Sequence, residues 1–180
     1  MSERFHDAAA GRASTDAGID TVNGLVASVN TSRGGIPKAP VFEARLTRCG
    51  LEGDHQNDAT YHGGPDRAVV LFSLDVIRSL QGLGHPITVG AIGENLTISG
   101  LDWPAIAPGA ILQIGEATVQ VTKYATPCRK IRDAFLGGDY MRVFQNEHPG
   151  WSRVCARVTT EGVVRPGDEV RLVPNPPGAQ

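Results

Sequence analysis

The sequence predicts a strand-dominated α+β domain built round a closed or nearly closed sheet, with a few short flanking helices. Three observations carry that expectation. Glycine (22 residues) and proline (12) are plentiful, and they punctuate the chain into short pieces. The apolar runs between them are short, and several alternate with period two, as half-buried strands do. Only a minority of the chain has apolar residues at helical spacing.

In chain order, GLVASV, residues 24–29, reads as a first strand, and VFEARLTRCG, residues 41–50, as a second that alternates apolar and polar positions. AVVLFS, residues 68–73, is continuously apolar and reads as a buried strand. Ser73 then offers an N-cap to a helix LDVIRSLQGL, with Asp75 in its first turn and Val76, Ile77, Leu80 and Leu83 as an apolar stripe. NLTIS, residues 95–99, reads as a strand, and AILQIGEATVQVTKY as a hairpin turning near Gly115–Glu116. After Pro127 the pattern predicts one or two short helices broken at Gly137–Gly138. SRVCARVTTEG returns to alternation, with Val154, Ala156 and Val158 on one face and Cys155 and Arg157 on the other, and GDEVRLV reads as the last strand of the chain.

The bounds on function are broad. At 180 residues the chain is expected to form one domain over residues 19–175. Residues 1–18 are small and polar without the apolar core of a signal peptide, and are expected to form a disordered arm. Residues 176–180 are expected to be an irregular tail. A net charge of −2 supplies no global field for nucleic acid or a membrane surface. Three cysteines without a close pair argue against a disulfide framework and for a reducing, cytoplasmic setting. No apolar run approaches the ~18 residues a membrane span requires. Oligomeric state is left open.

Three stretches have the residue types for chemistry. LEGDHQNDATYHGGPDRAV, residues 51–69, is a long polar segment between strands, holding Asp54, His55, Asp58, His62, Asp66 and Arg67. Its Gly63–Gly64 pair permits close backbone approach to a ligand. A solvated surface loop explains the same residues equally well. His55 and His62 do not have the spacing of a histidine zinc site. In GAIGENLTISGLDW, Gly93–Glu94–Asn95 lies between a loop and a strand, and Asn95 either orients a ligand amide or satisfies a turn. In YATPCRKI, Pro127 stiffens the backbone before Cys128, while Arg129, Lys130 and Arg132 come directly after it. Cationic neighbours and an adjacent helix start make a thiol reactive. A free cysteine also serves often as a small buried hydrophobe, and spacing leaves both readings open. Cys49 and Cys155 sit in strand-like runs and are expected to be buried.

Taken together and in this order, the HGGPD loop, the GEN turn and the PC-containing strand end closely resemble the MOSC domain, the C-terminal domain of molybdenum-cofactor sulfurase, and above all the bacterial stand-alone MOSC proteins. The likeness runs from about Leu25 to Val173. It implies a MOSC-type closed β-barrel and a molybdenum cofactor, molybdopterin, in the molybdenum-binding members. Cys128 matches the family cysteine, associated with thiolate ligation of molybdenum or with sulfur carriage, and a thiolate is a suitably soft ligand. His62 and Arg67 match the HGGPD-R loop, and Glu94 and Asn95 match the GEN turn. Thr126 and Arg129 flank the cysteine, and Arg33 and Lys38 lie in an early loop that approaches the pocket in such proteins.

The resemblance thus implies a reductase of N-hydroxylated compounds, hydroxylaminopurine or amidoxime in type, supplied by an external electron-donor reductase. In that expectation Cys128 ligates the metal. Arg67, Arg129 and either Arg33 or Lys130 pair with the cofactor phosphate. Asn95 and Thr126 hydrogen-bond pterin or phosphate, and His62 donates a proton. The alternative is a sulfur carrier holding a persulfide on Cys128. A third reading is a module binding an anionic small molecule, with the cysteine incidental.

Overall fold

A computed structural model describes residues 23–55 and 64–174. His62 and the terminal segments 1–18 and 176–180 lie outside the described residues. Eleven strands are present among those described: β1 (Asn23–Thr31), β2 (Ala39–Val41), β3 (Ala44–Thr47), β4 (Gly50–Leu51), β5 (Val69–Ser73), β6 (Leu96–Ser99), β7 (Ile111–Ile114), β8 (Ala117–Tyr124), β9 (Val154–Thr160), β10 (Gly162–Val164) and β11 (Glu169–Val173).

The sheet order is β11-β7-β8-β9-β5-β6-β1, and β1 pairs back onto β11, so seven strands close into a barrel. Closure leaves no open edge along the barrel wall. β1 makes this possible by using three parts of its length. Asn23–Leu25 pair with β11, Leu25–Val29 with β6, and Val29–Thr31 with β2. A register shift between Val26 and Ser28 bends the strand between these duties. A small second sheet, β10-β3-β4, caps one side.

All but one of the pairings are antiparallel. The exception is β5 with β6, and a parallel pair requires a crossover. That crossover contains the one α-helix of the described residues, α1 (Leu74–Gly82). Ser73 caps it as expected, its hydroxyl accepting from the backbone N–H groups of Asp75 at 3.1 Å and Val76 at 3.3 Å. Such a cap contributes about 1 kcal/mol. Val76, Ile77 and Leu80 are buried, but Leu83 is not part of the stripe: it is the C-terminal cap residue and is 57% exposed. None of the described helices is long and apolar enough to cross a membrane.

The hairpin at Gly115–Glu116 and the alternation of β9 are as the sequence predicts. Two expectations change. The run 41–50 is not one strand. It bends at Phe42–Glu43 and turns at Arg48–Cys49, so it contributes the end of β2, then β3, then the start of β4. The segment after Pro127 forms no α-helix. Residues Arg129–Ala134, Leu136–Gly138 and Tyr140–Val143 are three short 3₁₀ turns, separated by Phe135 in extended geometry and by Asp139, with Gly137 at φ 65° inside the second. Apolar residues of both sheets and of these turns form one core, in which Ile131, Phe135 and Val143 fasten the turns to the barrel.

Candidate functional site

The end of β8 determines how Cys128 is presented. The ladder with β9 continues one step past the strand, where the Ala125 N–H donates to the Arg153 carbonyl at 2.8 Å. The Ser152 hydroxyl donates to the Ala125 carbonyl at 3.3 Å. Ser152 is itself held, its carbonyl accepting from Trp103 Nε1 at 2.8 Å. Beyond this clamp, Pro127 is buried while Thr126 and Cys128 on either side are exposed. The proline ring thus anchors the chain and turns the thiol outward, which resolves the ambiguity at Cys128 in favour of presentation.

The segment after the thiol differs from the expected helix start. The Cys128 carbonyl accepts from Ile131 N at 3.1 Å, closing a 3₁₀ turn in which Ile131 and Ala134 are buried. A turn of six residues has little aligned dipole, so Arg129 and Lys130 act as exposed charges rather than as part of a helix terminus. A hollow of about 540 Å³ lies beside the turn, lined by Arg129, Arg132, Phe135 and Tyr140 among others. Cys128 is not in its wall.

Of the other thiols, Cys155 is buried as expected. Cys49 is not: it sits exposed in the turn between β3 and β4, because that run breaks there.

The GEN turn lies inside the protein. Asn95 is 1% exposed and Glu94 is fully buried. Asn95 cross-links the two strands it lies between. Its Oδ1 accepts from Val70 N at 3.1 Å, and its Nδ2 donates to the Asn30 carbonyl at 3.4 Å and to Asp54 Oδ2 at 2.8 Å. Asp54 also accepts from Ser32 N at 2.8 Å and pairs with Lys38 Nζ. The Lys38 and Asp54 side chains are 9% and 4% exposed, so this is a buried ion pair. The early loop, the start of the long polar segment and the GEN turn are thereby tied at one point. Gly90, at φ 78°, completes the tie: its carbonyl accepts from Lys38 N at 2.9 Å.

Glu94 joins a second chain of polar groups. Its Oε1 accepts from Gly90 N at 2.5 Å and from Thr97 Oγ1 at 3.5 Å. Thr97 accepts from Asn30 Nδ2 at 3.2 Å. Glu94 Oε2 has no partner, and burial pushes the carboxyl above its usual range, against the backbone N–H groups and the Arg153 charge that pull it down.

Arg153 is the counterpart of that carboxylate. It is 8% exposed, it donates from Nη1 to the Ile92 carbonyl, and its Nε has no partner. Burial draws its guanidinium below the ordinary arginine value, while the charges of Glu94, Cys155 and Cys128 act in the opposite direction. Cys155, two residues along the same face of β9, is raised by burial and opposed by Arg153, Lys123 and Arg67. Lys123 is its cross-strand neighbour in β8.

The structure therefore buries Arg153 against the turn that precedes Glu94, and pairs Cys155 with Lys123 across β9 and β8. Thr126, Arg129 and Lys130 flank the thiol at the surface, and Arg33 is exposed in the early loop. Asn95 and Asp54 stand behind as buried ties. Sequence reasoning missed Arg153 and Lys123. The signal was available for Arg153: with Val154, Ala156 and Val158 inward, alternation puts Arg153 and Cys155 on one outer face. Among the described residues, no three His, Cys, Asp or Glu side chains gather closely enough to hold a metal ion.

Comparison with known proteins bears on the family and the fold. The family model for the MOSC domain matches residues 58–171. YflK of Bacillus subtilis (strain 168) is 36% identical over 141 residues, 77% of this chain and 63% of that protein. YiiM of Escherichia coli (strain K12) is 36% identical over 114 residues, 61% of this chain and 51% of that protein. A crystal structure of YiiM from Escherichia coli superposes with a TM-score of 0.63 at 30% identity, covering 86% of this chain and 71% of that one. A protein named Reductase, from Gibberella moniliformis (strain M3125 / FGSC 7600), is 27% identical over 143 residues, 76% of this chain but only 24% of that protein. The chain thus spans between about half and two thirds of the length of its two bacterial relatives. With a closed seven-strand barrel, a thiol turned outward at the end of β8 and a family model matched over more than half its length, the chain belongs to the MOSC domain family.

Proposed function

We propose that this protein is a molybdenum-cofactor oxidoreductase that reduces N-hydroxylated compounds, with Cys128 as the protein ligand to the metal. The observation that carries the reading is the outward presentation of Cys128 at the end of β8, with the exposed cations Arg129 and Lys130 directly after it. A soft anionic donor next to fixed positive charge suits a cofactor that binds through sulfur and carries a phosphate. The residues present fit that group. The distant relative named Reductase supports the reaction class.

In this reading Cys128 ligates the metal. Arg67 and Arg129, with Arg33 or Lys130, would meet the cofactor phosphate, and Thr126 would offer its hydroxyl to the pterin or the phosphate. Glu94 and Asn95 act from behind, holding the loops that form the wall. When bound, the cofactor supplies the two-electron chemistry that cleaves the N–O bond. The chain's own contribution is binding, orientation and charge. His62, in the HGGPD loop, is assigned the proton that the leaving oxygen requires. Electrons come from a separate reductase, and the setting is a reducing one that suits three unpaired thiols.

Metal and pterin analysis of protein from a cofactor-competent host tests the proposal. Wild type should contain both, and Cys128→Ser should lose molybdenum. Wild type lacking both, and inactive on a hydroxylamine substrate with a suitable donor, would rule the reading out. A second reading has its own support in the exposure of Cys128: a sulfur carrier, with a persulfide handed to a partner. A reductant-labile, Cys128-dependent mass gain of one sulfur without molybdenum would favour it.

A further inference from the structure

The hollow of about 540 Å³ beside the first 3₁₀ turn has no part in the function proposed above. Its volume falls in the range of about 300–1,000 Å³ usual for small-molecule sites. Its lining is fastened to the core. Phe135 is 3% exposed, its ring packs edge-on against His85 with centroids 5.6 Å apart, and its N–H donates to the Arg132 carbonyl at 3.0 Å. The next residue, Leu136, donates from N to His85 Nδ1 at 3.0 Å, which ties the second turn to the segment after α1. Gly137 follows at φ 65°, and nothing lies within 4 Å of where its Cβ would be, so that part of the lining stays open. A hollow held in this way needs little ordering when a ligand enters.

Arg129 and Arg132 lie three apart in one 3₁₀ turn, and side chains at that spacing eclipse. Both line the hollow, so two cationic side chains stand on one side of the turn. One carboxylate answers them: Asp133 Oδ1 accepts from Arg132 Nε at 3.3 Å. The two side chains of that pair are 55% and 92% exposed, so the pair is weak, and the Nη groups of Arg132 keep their donors. Arg129 has no ion pair among the described residues. The hollow therefore carries surplus positive charge in a chain whose net charge is −2. Tyr140, half-buried, adds an aromatic surface and a phenol to the same lining. Planar guanidinium forks suit a phosphate or carboxylate, and an aromatic wall suits a ring.

We propose that this hollow is a binding site for an aromatic anion, a flat ring carrying a phosphate or carboxylate, and that it receives the anionic end of the substrate. Arg132 and Tyr140 are the residues specific to it, because Arg129 is shared with the thiol end of the chain segment. The binding half of the proposal stands on the hollow alone. The substrate half rests on the reductase reading and deepens it: the preferred N-hydroxylated compounds are those whose ring bears an anionic group, over their neutral counterparts.

Phenyl phosphate, phenol and inorganic phosphate are titrated calorimetrically into the full chain, prepared from cofactor-competent and from cofactor-deficient hosts. Phenyl phosphate should bind both preparations with a Kd of about 1 mM or tighter, and about 10-fold or more tighter than either fragment. Arg132→Gln should weaken it about 10-fold. Tyr140→Leu, which keeps apolar bulk against the core, should bring it down to the affinity of inorganic phosphate. Arg171→Gln, which removes the same charge from β11, should leave it unchanged. Absence of saturable binding, or binding indifferent to Arg132→Gln, would overturn the proposal. So would binding that disappears when the cofactor is loaded, because the hollow would then belong to the cofactor. For the substrate half, loaded protein should show a kcat/KM about 10-fold higher for an N-hydroxylated aryl phosphate than for the same compound without its phosphate. Equal values would overturn that half. Protein that binds phenyl phosphate as expected and reduces neither compound fails as a reductase, which sinks the proposed function and leaves the binding site standing.

Discussion

Replacing Asp54 with alanine tests whether the site is assembled by one buried ion pair. Asp54 receives three donors: Lys38 Nζ, Ser32 N at 2.8 Å and Asn95 Nδ2 at 2.8 Å. Removing the carboxylate leaves a 9% exposed ammonium without its partner and two further donors unmet. Breaking a buried pair from one side costs about 3–5 kcal/mol. For a chain of this size that corresponds to about 6–20 °C in Tm. Lys38→Met should cost less, because Asp54 keeps its two N–H donors. The double variant should cost less than the sum of the singles by about 2 kcal/mol or more, since the second change removes the group that the first stranded. Urea denaturation of the four proteins gives the coupling directly. Strict additivity, or an Asp54→Ala cost below about 1 kcal/mol, would refute the claim that this pair ties the early loop to the GEN turn.

Glu94 and Gly90 give further expected outcomes. Burial raises the Glu94 carboxyl above its ordinary 4.5, so the folded protein binds that proton more tightly than the unfolded chain. Its contribution to stability is therefore fully present below about pH 4.5 and is lost as pH rises through the raised folded value. The stability of Glu94→Gln relative to wild type should improve as pH rises from about 4.5 to the raised folded value and level off above it, measured by urea midpoints across the range; a pH-independent difference would count against the burial argument. Gly90→Ala should cost about 2–4 kcal/mol, because φ 78° disfavours a side chain and its Cβ would collide with the Lys38 carbonyl oxygen. Gly53→Ala, at φ 83° with nothing near, should cost only the backbone term of about 1–2 kcal/mol. Equal losses at the two glycines would remove the packing role assigned to Gly90.

Much of the architecture was legible because period-two alternation is a local property. SRVCARV alternates, so β9 and its faces could be read residue by residue, and Ser73 announced α1 through chemistry confined to its first turn. The segment after Pro127 was harder. Ile131, Ala134 and Phe135 have near-helical spacing, but their burial against the barrel selects short 3₁₀ turns over an α-helix, and that preference is tertiary. The run 41–50 failed for a similar reason, since its bends serve two different sheets.

The sequence by itself determined the seven barrel strands, the hairpin at Gly115–Glu116, the family resemblance and the order in which Arg67, the GEN turn and Cys128 occur. Each of these depends on residue type and spacing along the chain. Only the tertiary structure decided that Cys128 points outward while Cys155 is covered, that Asn95 ties strands together, and that Arg153 is buried against the turn before β6. Those facts depend on the strand order β9-β5-β6, which brings the turn before β6 to Arg153 across about 59 positions of sequence. Burial and charge at that point belong to the assembled sheet, and no stretch of the chain carries them alone.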